Sequence, residues 1–166
     1  MQAIVEAFSN TLGQHISAEL CVFIISMMPI LELRGGLLAA WSLNVPITTA
    51  IPICIIGNII PIPFILLFIR QVFEWAKKVS FLRGIVERLE ARAMKKSADV
   101  ANYEFLGLML FVGIPLPGTG AWTGSLIASL LEMDVKKAVV AELLGIALAT
   151  VIVSVFSYGL LGSVLH

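Results

Sequence analysis

The chain alternates long apolar stretches with one polar, basic interval. Apolar residues dominate approximately from Glu19 to Trp41, Val45 to Ile69, Phe105 to Leu131 and Ala138 to Leu165. A hydrocarbon core about 30 Å thick takes roughly 20 apolar residues per helical crossing, so there is room for at most four crossings. Two of the four stretches are interrupted in ways a plain span avoids. The segment GIPLPGTGAWTGSLIAS, Gly113 to Ser129, holds two prolines and four glycines. In a helix interior glycine costs about 1 kcal/mol and proline about 3 kcal/mol relative to alanine. The matching interruption upstream is PILELRGG, where Glu32 and Arg34 break an apolar run.

The arms on either side of the second interruption, Phe105 to Ile114 and Trp122 to Leu131, are each about ten residues, or roughly 15 Å of helix. That is half a bilayer, and it predicts a re-entrant hairpin whose tip turns deep in the membrane. Pro115 and Pro117 would end one half-helix, and Gly118 and Gly120 would let the backbone reverse. Non-helical backbone at that depth persists only where protein or water satisfies its polar groups. The alternative is a proline-kinked spanning helix. The two halves of the chain also resemble each other: a broken apolar segment, a short corner (Leu43-Asn44-Val45, Met133-Asp134-Val135), then a longer apolar helix carrying one glycine, Gly57 or Gly145. This pattern reads as an internal repeat.

Between Arg70 and Asn102, Arg70, Lys77, Lys78, Arg83, Arg88, Arg92, Lys95 and Lys96 outnumber Glu74, Glu87, Glu90 and Asp99, which marks the cytoplasmic side. Trp75, Val79, Leu82, Val86, Leu89 and Ala93 recur every three to four residues, the signature of an amphipathic helix, with Gly84 as the place for a bend. It reads as a solvated connector with its basic face near lipid headgroups, a partner site being the other reading. Charge then orders the rest. Were all four apolar stretches to cross, Lys136 and Lys137 would face away from the connector, against the inside preference of lysine and arginine. If each broken segment leaves by the face it entered, only the helices over 46–69 and 137–162 cross, and those lysines fall inside.

The expected fold is therefore all-α and polytopic. A re-entrant hairpin over 17–43 and a crossing helix form one repeat, and a hairpin over 103–133 and a second crossing helix form the other. The repeats are inverted and joined by the connector 70–102, as in transporters built on broken helices. Residues 1–14, with Ile4, Phe8 and Leu12 at helical spacing, read as an interfacial helix outside the cell; they lack the basic start of a cleavable signal.

Composition agrees with a membrane location: 59% hydrophobic and 13% charged residues and a mean hydropathy of +1.00 leave too little polar surface for a water-soluble globule. The net charge of zero, with no basic run interleaved with aromatics, excludes nucleic acid as a partner. Cys21 and Cys54 lie in apolar runs, where a thiol packs as a small hydrophobe; a bridge or a reactive thiol is the other reading. An enzyme is not expected. Ser125 has no histidine near it in sequence, since His15 and His166 stand at the ends, no aspartate pair suggests a protease, and no His or Cys cluster has metal-ligand spacing. No cofactor or metal is implied.

The chemistry concentrates at the two interruptions. A charge at mid-bilayer costs roughly 2.5 to 3.5 kcal/mol even on the lenient insertion scale, so Glu32 and Arg34 need partners or water. They pin the hairpin as a salt bridge, or they form a site where Arg34 offers guanidinium donors to an anion and Glu32 takes up and releases a proton. At the second tip the backbone N–H groups of a half-helix starting near Gly120 to Thr123 suit an oxyanion, with the Thr119 and Thr123 hydroxyls as further donors. Trp122 reads equally as a packing anchor or a cavity wall. Glu142 reads equally as a second protonatable site or as an interfacial carboxylate paired with a lysine.

PILELRGG and PLPGTGAWTGSLIAS resemble the signature stretches of the bacterial and archaeal small multi-drug export family, and the resemblance extends over nearly the whole chain. It implies a transporter of the prokaryotic inner or plasma membrane, with Glu32, Arg34, Pro115, Pro117, Gly118, Thr119 and Gly120 as motif positions beside Gly35. The architecture is similar to that of the DedA proteins, which are associated with returning undecaprenyl phosphate across the membrane. This chain lacks the second-hairpin arginine of that pattern. The reading that follows is proton-coupled translocation of a small anionic amphiphile or lipid phosphate, with membrane lipids around it. The alternatives are efflux of hydrophobic cations, with Glu32 and Glu142 as alternating proton and substrate sites, and a non-transporting scaffold. With two crossings per chain, a homodimer or larger homo-oligomer is expected.

Overall fold

The computed structural model describes residues 17–101 and 103–160. The interfacial helix expected over 1–14, the terminal histidines His15 and His166, and the orientation of the N-terminus lie outside these residues.

Among the described residues all regular structure is helical. Two short helices, α1 (Ala18–Met27) and α2 (Glu32–Ser42), precede a long one made of α3 (Ile47–Ile59) and α4 (Pro61–Lys77) joined at Ile60. After α5 (Ser80–Ala101) come two more short helices, α6 (Glu104–Gly113) and α7 (Ala121–Leu130), and another long one, α8 (Val135–Ser154), which ends in a π-helical turn, Val155–Leu160. Two helical stretches, Ile47–Lys77 with 31 residues and Val135–Gly159 with 25, are long and apolar enough to cross a membrane; α1, α6 and α7 are apolar but too short.

The short pairs close onto the long helices through glycines. A Cβ at Gly57 would come within 2.9 Å of the Phe23 carbonyl oxygen, and one at Gly145 within 2.7 Å of that of Met109. Likewise a Cβ at Gly36 would strike Ser26 and Cys54, and one at Gly124 would come within 2.7 Å of Val112. In each half, then, one glycine admits the first short helix against the long helix, and another admits the second short helix against the first. This close approach is how small residues let membrane helices associate. Cys21 and Cys54 are both buried thiols.

The corners are also built alike. Asn44 and Glu132 both take left-handed backbone, with φ 56° in each. Val45 N–H donates to Ala40 O at 2.8 Å, and Met133 N–H to Ala128 O at 3.0 Å; both are Schellman closures of the preceding helix. The second corner is thus Leu131-Glu132-Met133, two residues earlier than the expected Met133-Asp134-Val135. Asp134 instead caps α8, its side chain accepting from Lys137 N–H at 3.0 Å.

Two contacts fix how the halves lie. The Tyr158 hydroxyl, beyond the end of α8, donates to Val45 O at 2.9 Å. Arg70, far along the first long helix, pairs with Glu132 at 2.8 Å. Each corner sits beside the far end of the other half's long helix. Since α8 alone has 20 residues, the two corners lie at opposite ends of the bundle, roughly 30 Å apart.

The connector differs from the expectation of a solvated strap. Arg70 to Lys77 extend the first long helix, and α5 alone forms the return. It runs through Gly84, where a Cβ would meet nothing within 4 Å, so no packing contact imposes a bend. Val86, Ala93, Ser97 and Val100 form its buried stripe. Val86 packs with Phe73 and Ala76 of α4 and with Leu126 of α7, and Lys77 pairs with Glu90 at 2.7 Å. Apolar periodicity identified the helix, and burial against both long-helix and hairpin surfaces gives that stripe its role.

Candidate functional site

Both interruptions are enforced by proline. A residue preceding proline is pushed out of the helical region. Met28, before Pro29, has φ −76° and ψ 139° and ends α1; Ile114, before Pro115, has φ −83° and ψ 120° and ends α6. The chain re-enters a helix by unusual backbone in each case. Glu32 opens α2 with φ 51°, while Gly118 has φ 74° and Gly120 has φ 133° and ψ −178°. That last conformation is essentially restricted to glycine.

Breaking a helix strands its terminal N–H and C=O groups, and here each tip satisfies those of the other. The Glu32 carboxylate accepts from Ala121 N–H at 3.1 Å and from Trp122 N–H at 3.0 Å, the first amides of α7, where a negative charge also meets the positive end of the helix dipole. The Arg34 guanidinium donates to Leu116 O at 2.9 Å, to Val112 O and Ile114 O at 3.2 Å each, and to Thr119 Oγ1 at 3.1 Å, at the carbonyl end of α6. The Trp122 indole N–H donates to Met27 O at 3.1 Å, at the carbonyl end of α1. Acid lies on amides and base on carbonyls. Neither member of the Glu32/Arg34 pair is left to the other; both engage the second tip.

This arrangement revises two expectations. The α7 amides expected to receive an external oxyanion already hold the Glu32 carboxylate, which is only 4% exposed. The guanidinium expected to offer its donors to an anion is directed at main-chain oxygens. Thr119 organises the second tip, its hydroxyl lying 2.9 Å from both Ile114 O and Leu116 O. A Cβ at Gly120 would collide with the Glu32 carboxylate, and one at Gly35 would come 2.6 Å from Leu31 Cβ.

One turn beyond Gly120 on the same face of α7 lies Gly124, where a Cβ would be 3.6 Å from Glu142 Oε1. The two carboxylates thus lie against glycines one helical turn apart on α7, a spacing on the order of 6 Å along that helix. Glu142 is fully buried. Its Oε2 accepts from the Ser125 hydroxyl at 2.9 Å, while Oε1 has no hydrogen-bond partner. Its hydrogen-bond partner is a serine rather than a lysine, contrary to the interfacial reading. In the sequence Ser125 offers only a candidate nucleophile, and its place on an apolar helix carries no other signal.

Beside the joined tips opens a cavity of about 780 Å³. Glu32, Arg34, Pro117, Gly118, Thr119, Trp122 and Thr123 reach its wall, together with Ile65, Ile69 and Phe73 of α4, Leu126 of α7, and Leu89, Arg92, Ala93 and Lys95 of α5. Trp122 is thus both anchor and wall. Thr123 is half-buried; Pro115 shapes the tip without lining the cavity. The sequence does not disclose the contribution of α5, since Arg92 and Lys95 register there only as part of a basic excess.

No curated protein and no solved structure matched the chain. A family model described as "Putative small multi-drug export protein" matches residues 32–152, a span that runs from Glu32 through both tips and α5 to the last turn of α8. By that match over most of its length the chain belongs to this small multi-drug export family.

Proposed function

We propose that the protein is a transporter of the prokaryotic cell membrane that moves an anionic amphiphile between leaflets and couples the movement to protons through Glu32 and Glu142. In this reading the short helix pairs are re-entrant hairpins of opposite orientation, the corners lie at opposite membrane faces, the α5 side is cytoplasmic, and the tips meet near the midplane. The single observation that carries the proposal is the junction of the tips beside a largely apolar cavity. A carboxylate that holds a half-helix end is a latch that a proton can release. Hydrogen bonds to a charged partner contribute about 1.5 to 3 kcal/mol each, and Glu32 makes two of them. Neutralising the carboxylate weakens both and frees α7 to shift against α2. Glu142, which accepts from Ser125, receives the proton next. The protein acts without enzymatic chemistry, and copies associate to complete the wall that two crossings per chain leave open.

The pair of buried carboxylates also supports a second reading, exchange of protons for a hydrophobic cation. Flux in proteoliposomes separates the two. A fluorescent polyprenyl phosphate is expected to cross and ethidium is not; the reverse result selects the cation reading, and flux of neither removes transport. Glu32→Gln is expected to lower flux at least tenfold and to abolish its response to an imposed pH gradient. An unchanged rate and an unchanged response would eliminate Glu32 as the coupling group.

A further inference from the structure

Because main-chain oxygens hold the Arg34 guanidinium, the positive charge that an anionic head requires has to come from elsewhere on the cavity wall. Arg92 and Lys95 supply it. They stand three residues apart on α5, so they are neighbours on one helix face, and both line the cavity and are exposed. Neither takes part in the ion pairs found among the described residues, which engage Arg70, Lys77 and Arg83. Among the described residues the one carboxylate on the same wall, Glu32, is already held by the α7 amides. The same cavity is lined by Ile65, Ile69, Phe73, Trp122 and Leu126, which give it an apolar floor.

We infer that Arg92 and Lys95 are the headgroup site of the proposed transporter, and that together they bind the anionic oxygens of its amphiphilic ligand. Arginine presents a planar fork matched to phosphate oxygens, and lysine adds a compact point charge. The repulsion between two adjacent cations is relieved by an anion shared between them, and apolar chain is stabilised on the floor by about 25 cal/mol per Å² removed from water. In a bilayer the chain already lies in hydrocarbon, so discrimination falls to the head. The site is on the α5 side of the tips, so the ligand is loaded from the leaflet on that side. This inference rests on the transport reading for its purpose but not for its test.

The test uses the full chain in phosphatidylcholine nanodiscs with Trp41→Phe and Trp75→Phe, which leaves Trp122, on the cavity wall, as the reporter. Farnesyl phosphate is expected to change Trp122 emission saturably, with farnesol and dodecyltrimethylammonium at least tenfold weaker. Arg92→Gln with Lys95→Gln is expected to raise the half-saturating farnesyl phosphate at least tenfold, whereas Lys78→Gln with Arg88→Gln, an equal charge change off the cavity, raises it less than twofold. Arg92→Glu with Lys95→Glu is expected to reverse the preference toward dodecyltrimethylammonium, a gain that a misfolded variant would not show. Equal shifts in the two glutamine variants would reduce the effect to general surface attraction and overturn the site, as would farnesol binding as tightly as its phosphate. Flux measured in parallel keeps the two proposals apart. Site-dependent binding without any flux removes the transport reading and retains the site, while unaltered binding and flux in the cavity variant removes the site and retains transport.

Discussion

Gly120→Ala is expected to be the most damaging single substitution in the chain and to abolish transport although it adds one methyl group. Gly120 holds φ 133° and ψ −178°, backbone that costs a residue with a side chain about 1 to 3 kcal/mol. The added methyl also falls on the Glu32 carboxylate. To make room, the carboxylate has to leave the Ala121 and Trp122 amides, forfeiting two charge-assisted hydrogen bonds worth about 1.5 to 3 kcal/mol each. The combined loss is on the order of 5 kcal/mol. Thermal unfolding in detergent followed by size-exclusion is the measurement. The double variant Gly120→Ala with Glu32→Ala discriminates the causes: if the collision dominates, removing the carboxylate makes the alanine at 120 cheaper than it is in the wild-type background.

Arg34→Ala is expected to follow closely, lowering the midpoint of thermal unfolding by about 10 °C. Its guanidinium reaches three carbonyl oxygens and one hydroxyl at the open end of α6, and with the tips inside the bilayer, as proposed, water does not replace it there. A buried acceptor stripped of its partner costs about 1 to 3 kcal/mol, so the carbonyls together amount to about 3 kcal/mol or more, which at about 2 to 4 °C per kcal/mol gives that shift. Arg34→Lys is expected to recover less than half of the loss, because one ammonium cannot span oxygens that lie on Val112, Ile114 and Leu116. Full recovery by lysine would mean that charge alone, rather than the fork, holds the tip.

What the sequence discloses follows from which physical rules are local. Proline at 29, 115 and 117 acts on the residue before it, so the breaks were legible, and α6 and α7 fall within one residue of the apolar arms around Pro115 and Gly120. The corner at Asn44 was legible because asparagine tolerates left-handed backbone. Its counterpart at Glu132 was not, since glutamate gives no such signal, and the second corner was consequently placed two residues late. Glu32 and Arg34 stood out because an ionisable group in an apolar run is costly. Their partners were hidden, because a bond from Arg34 to Leu116 spans 82 positions and depends on how two hairpins meet. Periodicity marks the apolar stripe of α5 but not what covers it, so a cavity wall reads in the sequence as a solvated face. The signal for that wall is the three-residue spacing of Leu89, Arg92 and Lys95, which sets basic and apolar groups on one face of α5.

The account turns on the two hairpins entering from opposite faces and meeting inside the bilayer, which puts the corner at Asn44 on the outer face and the start of α8 on the inner one. Asn44→Cys and Lys136→Cys, each introduced alone with Cys21 and Cys54 replaced by alanine, test this in intact cells and in inverted vesicles with a membrane-impermeant maleimide. Labelling of Asn44→Cys only from outside and of Lys136→Cys only from the cytoplasmic side is the predicted result. Labelling of both from one face would mean that the second broken segment crosses the membrane fully, and would contradict it.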